Sequence, residues 1–148
     1  MQAKTRLGRW PYSACVLAFG GTILMALGLY FVFLRPPLLP EDALYMGTTL
    51  AAVQSTTPGL FEWLRRVFWV MGGYMFAIGL LTCYVAGTTF RARLRGSPIV
   101  VVFTAVTAIG LVAVVNFIIA SDFKWLILSF VLPWPLALTL YRTERWRS

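Results

Sequence analysis

The chain contains no histidine. That absence excludes imidazole-ligated haem and the common histidine-based metal sites. Only two cysteines occur, Cys15 and Cys83, with no Cys-x-x-Cys unit. They are too few for a disulfide framework. They fall at similar depth in two successive apolar runs, so they could be neighbours, and they read as small free hydrophobes. Charge is also scarce, at 12% of 148 residues, against about 25% in a soluble domain. No Asp, Glu, Lys or Arg falls in the middle of an apolar run. Proton relays, ion pumps and voltage sensors keep charges there, so those classes are not expected. There is no phosphate loop, no Ser-His pair and no facing acid–base pair. Catalysis by this chain alone is therefore not expected, and neither is a metal or a cofactor.

What the chain has instead is apolar length. It is 59% hydrophobic, with a mean hydropathy of +0.79. Four runs approach the ~20 residues needed to cross a ~30 Å hydrocarbon core. The sequence therefore predicts an all-α fold: a single membrane domain over residues 1–148, a bundle of four transmembrane helices with a short periplasmic cap. The expected spans are 11–34, 67–88, 99–120 and 125–141. The first run is too long for a signal h-region and lacks a convincing small-x-small cleavage site, so it is expected to remain as an anchor.

Local signals mark the boundaries. Pro11 suits a first helical turn, and Arg35-Pro36-Pro37 stops the first span. An outer loop over 35–64 follows. Within it, Pro40-Glu41-Asp42 reads as the start of one short helix, with acids in its first turn. Leu44, Tyr45, Met46, Leu50 and Val53 would form its apolar side. Thr57 and Pro58 can start the next helix, whose turns from Gly59 to Arg66 extend the second span outward. Arg91, Arg93, Arg95 and Gly96-Ser97-Pro98 form the middle turn, and Ser121-Asp122-Phe123-Lys124 a tight hairpin. The third span is rich in Val and Ile, but is too long for a strand and must satisfy its backbone internally.

Charge asymmetry gives the orientation. The two ends and the middle turn hold Lys4, Arg6, Arg9, Arg91, Arg93, Arg95, Arg142, Arg145 and Arg147 against Glu144 alone. The other two connections hold Arg35, Arg65, Arg66 and Lys124 against Glu41, Asp42, Glu62 and Asp122. The basic side is expected to be cytoplasmic, with both termini inside a bacterial inner membrane. Basic residues that hug span ends point to phospholipid contact rather than nucleic acid. Trp10, Tyr12, Trp63, Trp69, Trp125, Tyr141 and Trp146 lie near span ends, as an aromatic belt does.

Two stripes of small residues suggest how the helices meet. Ala14, Gly21 and Gly28 repeat every seven residues in the first span, and Gly72, Gly79 and Ala86 in the second. In antiparallel helices Gly28 meets Gly72, Gly21 meets Gly79 and Ala14 meets Ala86. Small residues allow the close approach by which helices associate in lipid. The alternative is a groove for a flat ligand. Pro133-Trp134-Pro135 predicts a kink in the fourth span, with freed carbonyls near Ser129 to Val131. That kink is either a bent structural helix or a pocket wall or hinge. Asn116 is the strongly polar side chain inside a span and is expected to bond across to another helix, with Thr82, Thr104, Thr107 and Tyr74 as further polar contacts. A candidate ligand or lipid pocket is thus Tyr74, Asn116, Pro133 and Trp134. Glu41, Asp42, Arg65 and Arg66 form a candidate docking surface, alternatively solvated ion pairs of little worth.

Leu38-Leu39-Pro40-Glu41-Asp42, then Tyr45-Met46-Gly47, Pro58, Gly72-Gly73, Ala77, Gly79 and Leu80 together resemble a set of small bacterial four-span membrane proteins of unknown function. The layout is similar to the wider DoxX-like four-helix bundles. The resemblance covers residues 36 to 86. It implies a four-helix membrane fold and brings no activity. Where members carry a His-Asp-Arg triplet, this chain has Arg66-Val67-Phe68, so any chemistry of that triplet is not implied here. The function expected from the residues is that of an accessory or assembly subunit, or a homo-oligomer. The expected partners are membrane lipids and a protein partner or a second copy. A binder of a lipid, quinone or other hydrophobic small molecule is the alternative, and an oligomeric transporter or channel a third class.

Overall fold

The computed structural model describes residues 10–145, which are helical throughout apart from short connections. Lys4, Arg6, Arg9, Trp146 and Arg147 lie outside the described residues. Four helices are long and apolar enough to cross a membrane: Tyr12–Phe33, Gly59–Phe90, Ser97–Ile118 and Lys124–Glu144. This is the architecture of a multi-pass membrane protein.

Helix α1 is Tyr12–Phe33, entered from an extended Pro11. Helices α2 (Pro40–Tyr45) and α3 (Leu50–Thr56) occupy the first connection. The single short helix expected there is two, because Gly47 takes a left-handed φ of +71° that ends the first. Thr49 restarts the chain, its hydroxyl accepting from the Ala52 amide at 3.2 Å. Helix α4 is Gly59–Val85 and runs on through a π-helical turn, Ala86–Phe90. It starts inside the expected 35–64 loop. Helices α5 (Ser97–Thr104) and α6 (Leu111–Ile118) form one span through a second π-helical segment, Ala105–Gly110. The fourth span is α7 (Lys124–Val131) and α8 (Pro133–Arg145), broken at Leu132.

Consecutive glycines place α1 between two partners. Adjacent helix positions point about 100° apart, so neighbouring residues serve different faces. Gly21 and Gly28 face α4. A Cβ on Gly28 would lie 2.6 Å from the Gly72 carbonyl oxygen, and one on Gly79 2.6 Å from that of Gly21. The two backbones touch, so only glycine fits. Ala14 and Ala86 are fully buried in the same core. Gly20 faces α8 instead. A Cβ there would meet Pro133 Cβ and the Trp134 ring at 3.1 Å.

The termini end of the bundle is tied by one carboxylate. Glu144 of α8 accepts from the Ser13 hydroxyl at 2.6 Å and the Ser13 amide at 3.2 Å. That amide is one of the orphan donors in the first turn of α1, where negative charge is favoured. Arg93 bonds the same carboxylate at 3.2 Å and the Tyr141 carbonyl at 2.7 Å. The short turn between the second and third spans is thereby bound to both.

The glycine seam generates a prediction. Gly21→Leu and Gly79→Leu should each destabilise the bundle by roughly 3 kcal/mol or more, because backbone must move. Gly73→Ala, where a Cβ meets nothing within 4 Å, should leave stability unchanged. Thermal unfolding in detergent reads both; a Gly79→Leu midpoint equal to the native one would sink the seam.

Candidate functional site

At the end opposite the termini, the second and third spans do not close on each other. Helix α4 meets α5 beside their short turn, while α6 packs chiefly on α7. The gap is a cleft of about 710 Å³, within the ~300–1,000 Å³ range of small-molecule sites. Leu27, Tyr30 and Phe31 of α1 form its back. Phe68, Met71, Tyr74, Met75 and Ile78 of α4 form one wall. Thr107 and Ala108 of the π-helical segment, Leu111, Val115 and Asn116 of α6, and Ile127 and Phe130 of α7 form the other. Tyr74, Leu111 and Val115 on its rim are each at least half exposed. In a bilayer, such a rim meets lipid tails rather than water.

Helix α2 roofs the cleft through Leu39 and Asp42. Two polar ties hold the roof. Glu41 Oε1 accepts from the buried Ser121 hydroxyl at 3.1 Å, across to the hairpin between the third and fourth spans. Asp42 Oδ2 accepts from the Leu39 amide at 2.9 Å and lies 3.6 Å from an Arg35 guanidinium nitrogen. Arg35 is the cation of the cleft lining. Its guanidinium carbon stands 3.8 Å from the Phe68 ring centre and 5.2 Å from that of Phe31, a double cation–π seat. Burial pulls its pKa below the ordinary value, and Asp42 acts in the opposite sense. A guanidinium so placed still carries its charge at neutral pH.

The expected pocket residues do not assemble as a group. Tyr74 and Asn116 line the cleft. Pro133 and Trp134 do not. Both are buried against Gly20, with Trp134 fully enclosed and its indole N–H without a hydrogen-bond partner. The proline break forms packing rather than a wall, and the Ser129 carbonyl accepts from the Leu132 amide at 3.2 Å. Asn116 does not reach another helix. Its amide donates to the Val112 carbonyl of its own helix at 2.9 Å. Thr82, Thr104 and Thr107 likewise bond the carbonyl four residues back. A span satisfies its polar side chains most cheaply on its own backbone.

The expected docking surface also divides. Glu41 and Asp42 turn inward to Ser121 and Arg35, whereas Arg65 and Arg66 stay exposed on α4, Arg65 3.5 Å from Glu62. Cys83 meets α1 at the Ala18 carbonyl, 3.4 Å away, and Cys15 is exposed; both thiols are free. Among the described residues no three His, Cys, Asp or Glu side chains group as metal ligands. The sequence reading missed Arg35, taking it as a helix stop. Its position four residues after Phe31 was the available signal, because residues at that spacing share a helix face.

The roof is testable. Asp42→Ala removes the acceptor of the Leu39 amide and leaves Arg35 half-buried and unpaired, a loss of about 1–3 kcal/mol. Amide exchange across residues 39–46 should quicken by on the order of tenfold or more. An unchanged exchange rate would show that the tie does not hold the roof.

No protein-family model, curated protein or solved structure matches this chain.

Proposed function

We propose that this protein is a non-catalytic, multi-pass protein of a bacterial inner membrane that binds a small amphiphile in the cleft between its second and third spans. One observation carries the reading: a largely apolar, aromatic-walled cleft that ends in a fixed arginine–carboxylate pair. Apolar pockets with a few placed polar groups are the ordinary form of small-molecule sites. The exposed rim gives access from the bilayer, where such a ligand resides.

The accessory-subunit reading has its own support in the third span. Little of it is buried, and Ile99, Phe103 and Val106 stand bare along it. A partner helix, a second copy or lipid would cover that face. No feature of the described residues favours a channel.

The basic balance of the termini end supports cytoplasmic termini, with the α2–α3 roof outside. In a Cys15→Ser, Cys83→Ser background, Thr48→Cys should react with an impermeant thiol reagent added to intact cells. Gly96→Cys should be shielded until the cells are opened. The reverse pattern overturns the orientation.

Ligand binding is tested by native mass spectrometry of protein extracted gently from its own membrane. A small molecule should be retained, and Leu111→Trp, which adds bulk at an exposed rim position, should lose most of it without a change in melting. Equal retention by Leu111→Trp would move the site away from this cleft.

A further inference from the structure

We infer that the cleft takes a lipid with a neutral, hydroxyl-bearing head, such as a diacylglycerol, and discriminates against anionic heads. The inference rests on the amphiphile reading above and adds the chemistry of the head.

The charges decide first. Among the described residues Arg35 is the only cation that lines the cleft, and Asp42 the only acid. The two are paired at 3.6 Å, and Arg35 also donates to the Pro36 carbonyl at 3.2 Å. Directly behind them Glu41 holds Ser121, and the same hairpin carries Asp122 and Lys124. Across this outer end the charges balance, Arg35, Arg65, Arg66 and Lys124 against Glu41, Asp42, Glu62 and Asp122. A phosphate entering here would find the lining cation already neutralised by Asp42, in a medium less polarisable than water, where Coulomb terms weigh more. It could recruit Arg35 only by taking it from Asp42, which would leave a half-buried carboxylate without its cation. Removing one partner of such a pair is costly.

Hydrogen bonding decides second. Asn116 spends one N–H on Val112. A primary amide has a second N–H and a carbonyl oxygen with two lone pairs, and among the described residues neither meets a further partner. The amide therefore offers the cleft a donor and an acceptor side by side. A hydroxyl group, which both accepts and donates, complements that pair; an ester carbonyl uses the donor alone. Farther from the roof the lining continues through Ile78, Ala108 and Phe130 without a charged group, which suits an acyl chain.

The test uses the full chain in mild detergent, titrated by native mass spectrometry with dioleoylglycerol and separately with dioleoylphosphatidylglycerol. These share acyl chains and differ in the head. The neutral lipid should bind at one per chain and at least about tenfold more tightly, the effect of about 1.4 kcal/mol. Asn116→Leu should weaken it by about fivefold to tenfold, the worth of one hydrogen bond, and leave the weak anionic binding unmoved. Asp42→Asn, which frees Arg35 and removes one negative charge, should narrow or reverse the preference. Anionic binding as tight as neutral, or an Asn116→Leu protein that binds dioleoylglycerol undiminished, overturns the head selection while the cleft remains an amphiphile site. If neither lipid binds saturably to the native chain, the amphiphile reading itself is overturned.

Discussion

The distance at which α1 and α4 meet sets the rest of the fold. Lipid tails are as apolar as leucine, so two helices gain no hydrophobic energy by leaving lipid for each other. Dispersion at short range must do the work, and it needs backbones in contact. Gly21, Gly28, Gly72 and Gly79 supply that contact. Because Gly20 then takes the Trp134 ring on its other side, α1 is enclosed by the second and fourth spans. The third span has no glycine seam against α4. It meets α4 chiefly near their common turn, and the wedge beyond that turn is the cleft.

This hierarchy explains which features were legible in the sequence. A heptad of small residues in each of two spans is a periodic signal, and periodic signals survive folding: Gly28 and Gly72, Gly21 and Gly79 stand together as the antiparallel register requires. Apolar length and proline stops placed the four spans. The cleft was less legible because it is made by what fails to meet. No single residue announces that α6 leans on α7 rather than on α4. The Pro133-Trp134-Pro135 run left a bent structural helix and a pocket wall or hinge open; a large ring beside a break fills space, and Gly20 on another helix decided for packing. The partner of Asn116 was misread for a local reason: Val112 lies one turn back on the same helix and needs no tertiary fit. Gly47 could have warned that the roof would divide, since a left-handed position ends a helix.

Both ends of the bundle use one device. Each buries an arginine on aromatic faces and pairs it with an acid: Arg93 on Tyr141 with Glu144, and Arg35 on Phe68 and Phe31 with Asp42. The aromatic face accepts the flat, weakly hydrated guanidinium without stripping it as an ammonium would be stripped. The difference lies in what surrounds each pair. Among the described residues Glu144 contacts the start of α1 and the turn between the second and third spans, so the device closes the bundle. Around Asp42 one side is open space, so the same chemistry borders a site.

The Glu144 clasp also has a bearing on how the protein is made. Ser13 and Glu144 are separated by 131 residues, nearly the whole described chain. Span one is synthesised first and its seam partner next, so the glycine contact can form while the rest is still on the ribosome. The first-turn amide of Ser13 and the guanidinium of Arg93 must wait for the last helix to arrive. The clasp therefore needs first helix, middle turn and last helix all in place. The order of synthesis thus lets the pairing fixed by shape form early and keeps the locking fixed by charge for the end.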